Sequence, residues 1–175
     1  MSVIDVSSKL HGQALANVKT ILGDLLSKSR AHAALLIDLR GFVLLHLHAR
    51  GAPESPQLDA LGSLIASNYS ATTALARLFG ESGFRELIQQ GSEIGTYTEE
   101  LGEDALLVTV YAVTEPLGRT KYLSKKTVEA LLAALNEYDD APPVLMLDDD
   151  WENSNQDLLE ALMPNSNPIP KLGDA

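Results

Sequence analysis

The sequence predicts an α/β (α+β) domain in which helices pack over an antiparallel sheet, followed by an acidic tail. Three observations lead there. Runs rich in β-formers come in groups joined by short glycine turns; segments of helical period stand before, between and after those groups; and no alternating strand-helix series exists to build a parallel, doubly wound sheet.

Leu10, Ala14, Val18, Ile21, Leu22 and Leu25 recur at steps of three and four, which predicts an amphipathic helix over 8–27. A polar break at 27–30 separates it from AALLIDL, Arg40-Gly41 and FVLLHLH, a pattern expected to form a hairpin about Gly41. ARGAPESP, with its prolines and glycine, marks a loop. The longest expected helix follows, from about Leu58 to Phe79, on Leu58, Leu61, Leu64, Ile65, Tyr69, Ala76 and Phe79, and Gly80 is placed to end it in a left-handed cap.

FRELIQQ, IGTYTEEL and DALLVTVYAV then read as short strands, with Gly102 in a tight turn between the last two. DALLVTVYAV is the most apolar and is expected at the centre of the sheet, whereas the spacing of FRELIQQ also suits a helical turn. A turn at Pro116-Leu117-Gly118 leads to a helix in YLSKKTVEALLAALNEY. Acids and a Pro-Pro pair at 139–143 place the expected boundary there, with a domain over 1–140 and a tail over 141–175. Within the tail, Trp151, Leu158, Leu159 and Leu162 beside many acids predict a short amphipathic helix over 148–163, and the ending PNSNPIPKLGDA has the composition of a disordered segment.

Charge narrows the partners. The formal net charge of −11 disfavours nucleic acid, whose phosphates call for clustered Lys and Arg. Nine acids against the single base Lys171 lie from Asp139 onward, so most of the imbalance belongs to the tail. No run of about 20 apolar residues is available to cross a bilayer, and no signal-like start is seen, so membrane insertion is not expected and a cytoplasmic location is. The absence of cysteine removes thiolate chemistry and disulfides.

The pattern of reactive residues points to no catalytic, cofactor-binding or metal site. His46 and His48 alternate on one strand face but lack a third ligand beside them, so a solvated face is expected. Glu99-Glu100 and Glu103-Asp104 flank Gly102 at a hairpin tip, where water would keep their pKa values ordinary. Asp148-Asp149-Asp150 lacks the spacing of a calcium loop and suits a helix N-terminus. No phosphate-binding glycine motif or nucleophile elbow is present. Arg119, Lys121, Lys125 and Lys126 form the basic cluster, suited to an acidic partner, to the tail or simply to solvent.

The long central helix is more informative. Ser63, Ser67, Ser70, Ala71 and Ala74 form a stripe of small residues at helical steps, which would let a second backbone approach closely. Leu61, Leu64 and Ile65 are expected to face the sheet, leaving the stripe for a dimer or partner interface. The tail residues Trp151, Leu158, Leu159 and Leu162 likewise need a groove on this chain or another, and are read as a docking element.

Taken together, ALLIDLRGFVLLH, LGSLIASNYSATTALARLFGESGF, GTYTEELGEDALLVTVYAV and PLGRTKYLSKKTVEALLAAL resemble the Roadblock/dynein light-chain family over roughly 33–135. The resemblance rests on the ordered set, including L-x-x-L-x-A-x-N, the G-E-x-x-F that follows it and the later L-G before the last helix. It implies a five-stranded antiparallel sheet with one helix on one face and two on the other, and a homodimer in which edge strands join and the central helices lie side by side. It implies as partner a Ras-like small GTPase of the MglA type, whose hydrolysis the dimer activates by positioning the GTPase's own catalytic residues, without an arginine finger and without an active site in this chain. The alternative is a dimeric scaffold that binds partners without altering hydrolysis. By position the resemblance places Ser70 and Ala74 near the dimer and GTPase surface, puts Tyr69 where relatives tend to carry a small residue, and allows for concentration at a cell pole.

Overall fold

The computed structural model describes residues 6–52, 57–84 and 86–137. The expected tail over 141–175, with its helix at 148–163 and the docking residues Trp151, Leu158, Leu159 and Leu162, lies outside the described residues.

A short helix α1 (Val6–Lys9) precedes α2 (Gly12–Ser29). The expected single helix over 8–27 is thus interrupted near His11 and Gly12, the latter at φ +50, and runs two residues further at its end. The polar residues at that end do not break it, because Ser29 Oγ donates back to Leu25 O at 2.6 Å and the left-handed Arg30 closes the last turn through its N–H to Leu26 O at 3.0 Å.

Strands β1 (Ala33–Asp38) and β2 (Val43–His48) form the expected hairpin. Its tip is organised by Asp38, whose carboxylate accepts the N–H groups of Arg40 at 3.0 Å and Phe42 at 2.8 Å and the Nε of Arg40 at 2.8 Å. The hairpin rests on α3 (Leu58–Leu78) through two glycines. A Cβ on Gly62 would stand 2.4 Å from Gly41 O, and one on Gly41 would stand 2.8 Å from Ser63 Cα, so the two backbones touch where no side chain fits. Helix α3 ends as expected. Gly80 at φ +80 donates to Arg77 O and Glu81 to Ala76 O, satisfying two terminal carbonyls.

Strands β3 (Glu86–Gln90), β4 (Ile94–Leu101) and β5 (Ala105–Ala112) complete a five-stranded antiparallel sheet of order β2-β1-β5-β4-β3. FRELIQQ resolves as a strand, at the edge; DALLVTVYAV occupies the centre, buried on both faces. Helix α4 (Leu117–Glu137) begins earlier than expected: Leu117 and Gly118 belong to its first turn rather than to a separate one, and Pro116 stands just before it, its O accepting from Arg119 N at 3.0 Å. Proline is tolerated there because a helix leaves its first N–H groups unpaired in any case.

The sheet divides two apolar layers. Leu35, Ile37, Leu106 and Val108 pack against Ile65 of α3, with Leu58, Leu61 and Tyr69 at the margin. On the opposite face Leu36, Tyr97, Leu101, Leu107 and Tyr111 pack against Val18, Leu22 and Leu25 of α2 and Val128, Leu131 and Leu135 of α4. One helix thus covers one face and two cover the other, the α+β arrangement that the resemblance implied. Each fully buried leucine adds about 1.5–3 kcal/mol to the fold, so the thicker two-helix layer holds most of the core.

Candidate functional site

Among the described residues α3 is the one helix on its face of the sheet, and its inner side is covered by that sheet. Gly62, Ile65, Ala66 and Ala76 are buried, while Ser63, Ser67, Ser70, Ala71 and Ala74 are all exposed. At 100° per residue, Ser63, Ser67, Ser70 and Ala74 lie within about 40° of the direction opposite Ile65, with Ala71 about 60° from it on the flank. The structure therefore gathers the small residues on one outward face.

That face also carries large apolar side chains. Leu64, expected to face the sheet, is instead 69% exposed, and Leu75 and Leu78 are 48% and 81% exposed. Leu64 turns outward because it stands one residue before Ile65, a third of a turn from the buried line of Leu58, Leu61, Ile65 and Tyr69. Leu75 and Leu78 were legible as a second three-residue step displaced from the inner one. Leucines beside small residues at these steps make ridges and shallow grooves of the kind into which another helix can pack.

Two hydroxyls of this face are already satisfied within the helix. Ser63 Oγ donates to Asp59 O at 2.9 Å and Ser67 Oγ to Ser63 O at 2.8 Å, so neither needs a bond from a partner. Tyr69 does not obstruct the face. It lies half-buried on the sheet side, its hydroxyl donating to Glu100 of β4, and burial followed by that carboxylate pushes its pKa up to about 12.

Several other charged or titratable side chains make contacts within the domain. His46 and His48 lie 6.1 Å apart, ring centre to ring centre, and burial followed by the neighbouring imidazole lowers the pKa of His46. Among the described residues no group of three or more His, Asp or Glu is placed to hold a metal ion. The expectation of ordinary pKa values at the β4-β5 hairpin is corrected at Glu99, which burial raises above the usual carboxylate range. Glu99 is not at the tip but two residues inside β4, half-buried on the α4 side. The basic cluster is engaged within the domain: Lys121 and Lys125 pair with Glu86, Arg119 with Glu115, and Lys126 stands 5.8 Å from the centre of the Tyr122 ring. The bridges to Glu86 could not be found from the sequence, since nothing local relates residues so far apart in the chain.

A sheet with this order, one helix on one face and two on the other, defines a class, and residues 17–112 match the model of the Roadblock/LC7 domain. The chain belongs to the Roadblock/LC7 family. Within it, the chain is similar to a solved MglB described as having a tetrameric arrangement, at 45% identity and a TM-score of 0.70 over 73% of this chain and 94% of that one. It is similar to the same degree to the gliding protein MglB of Thermus thermophilus, at 44% identity and a TM-score of 0.69 over 73% of this chain and 95% of that one. Myxococcus xanthus MglB shares the fold at 22% identity, with a TM-score of 0.63 over 69% of this chain and 95% of that one. No curated protein sequence matches. No helix among the described residues is long and apolar enough to cross a membrane.

Proposed function

We propose that this chain is a homodimeric regulator that activates a Ras-like small GTPase of the MglA type by holding the GTPase's own catalytic residues in position. It inserts no arginine finger and has no active site of its own. The observation that carries the reading is the outward face of α3, where Ser63, Ser67, Ala71 and Ala74 lie open beside Leu64, Leu75 and Leu78. It stands on a fold shared at 45% identity with an MglB. Phosphoryl transfer from GTP depends almost wholly on positioning and charge stabilisation, so a rigid helix face pressed against mobile loops is chemically sufficient to accelerate it.

In this reading Ser63, Ser67, Ser70, Ala71 and Ala74 form the dimer and GTPase surface. The chain divides into a domain over 1–140 and an acidic tail over 141–175, whose segment 148–163 docks through Trp151, Leu158, Leu159 and Leu162. Support for the tail's role is its composition, with apolar residues spaced for one helix face among acids. The protein works in the cytoplasm and gathers at a cell pole.

The deciding measurement is GTP turnover by the MglA-type GTPase from the same genome, with and without the purified chain. Acceleration of about tenfold or more, on the order expected when positioning alone is improved, is the expected result. Binding without acceleration would leave a dimeric scaffold in its place.

A further inference from the structure

Among the described strands, β3 pairs with β4 only, at the edge of the sheet. It brings little apolar burial: Glu86 and Leu87 are half-buried, and Ile88, Gln89 and Gln90 are exposed. Its first residue, Glu86, stands directly opposite Glu99 of β4. Both side chains lie on the face covered by α4, and two like charges in a direct cross-strand pair work against the pairing.

Helix α4 supplies the opposite charge. Lys121 Nζ lies 2.5 Å from Glu86 Oε2 and Lys125 Nζ 2.7 Å from Glu86 Oε1, so successive turns of the helix engage both oxygens of one carboxylate. The Glu86 side chain is 22% exposed, which screens these contacts less than at an open surface. Glu99 accepts a hydrogen bond from the hydroxyl of Tyr97 at 2.9 Å, and Tyr97 is fully buried. The charged and titratable groups facing the junction are therefore Glu86 from β3, Tyr97 and Glu99 from β4, and Lys121 and Lys125 from α4. Burial raises the pKa of Glu99, while the two ammonium groups lower that of Glu86.

We propose that Lys121 and Lys125 form a clamp that offsets the Glu86-Glu99 repulsion and holds edge strand β3 on the sheet. Without the two ammonium groups, a pair of opposed carboxylates would remain at the strand with the least burial to resist them.

Hydrogen exchange on the full chain tests the clamp. In Lys121→Gln/Lys125→Gln, the amides of residues 86–90 are expected to exchange about tenfold faster, the size given by losing two partly screened ion pairs, while those of β5 keep their rates. Adding Glu99→Gln should recover much of the protection, and Lys121→Arg/Lys125→Arg should resemble the parent chain. Unchanged exchange over 86–90, or an equal rise in β5, overturns the clamp.

Discussion

At the scale of single residues, the same side-chain chemistry is put to opposite uses on neighbouring strands. Glu86 is drawn to ammonium groups, and its folded-state pKa is lowered; the stability it adds is present above its ordinary value and is lost as pH falls through the depressed one. Glu99 is raised by burial, so its protonated form is favoured in the fold; its contribution is full below its ordinary value and is lost as pH rises through the raised one. Mild acidification should therefore tighten the β3-β4 pair before stronger acidification loosens it. Glu99→Gln keeps an oxygen for the Tyr97 hydroxyl while removing the charge. It should stabilise the domain at neutral pH by less than about 1 kcal/mol and abolish the gain on mild acidification, as read by urea unfolding across that range. Gly41 and Gly62 act by what they lack, since their missing side chains seat the hairpin directly on α3.

At the scale of elements, α3 has two sides that its period keeps apart. The line through Leu58, Leu61, Ile65 and Tyr69 fastens it to the sheet, and the opposite side with Ser63, Ser67, Ser70 and Ala74 is left open. Because Ala74 is exposed, Ala74→Arg should change monomer stability by no more than about 0.5 kcal/mol. In the proposed assembly a long charged side chain there would hold two helices apart. The expected outcome is an unchanged melting temperature together with loss of the dimer in sedimentation or of GTPase capture. Retention of both at parent levels would remove Ala74 from the interface. Helix α4 is likewise double: Val128, Leu131 and Leu135 fill the core, while Lys121 and Lys125 reach out to the sheet edge.

At the scale of the whole molecule, charge is divided along the chain, with nine acids and one base from Asp139 onward. A domain that carries its own core should not need this segment to fold. Ending the chain after Pro143 is expected to leave the unfolding transition of the domain in place and to weaken GTPase binding or alter nucleotide exchange. Parent-level binding and exchange would count against a docking role for Trp151, Leu158, Leu159 and Leu162.

The order of elements, the hairpin about Gly41, the central place of DALLVTVYAV and the cap at Gly80 were determined by the sequence alone, because each rests on local period, burial or backbone conformation. The stripe of small residues on α3 was legible for the same reason. Tertiary structure decided what depends on residues far apart meeting. It turned Leu64 outward, tucked Tyr69 against Glu100, drew Lys121 and Lys125 onto Glu86 and half-buried Glu99 beside Tyr97. Periodicity shows that a helix has two sides, but which side is covered is known only when the sheet beneath it is in place.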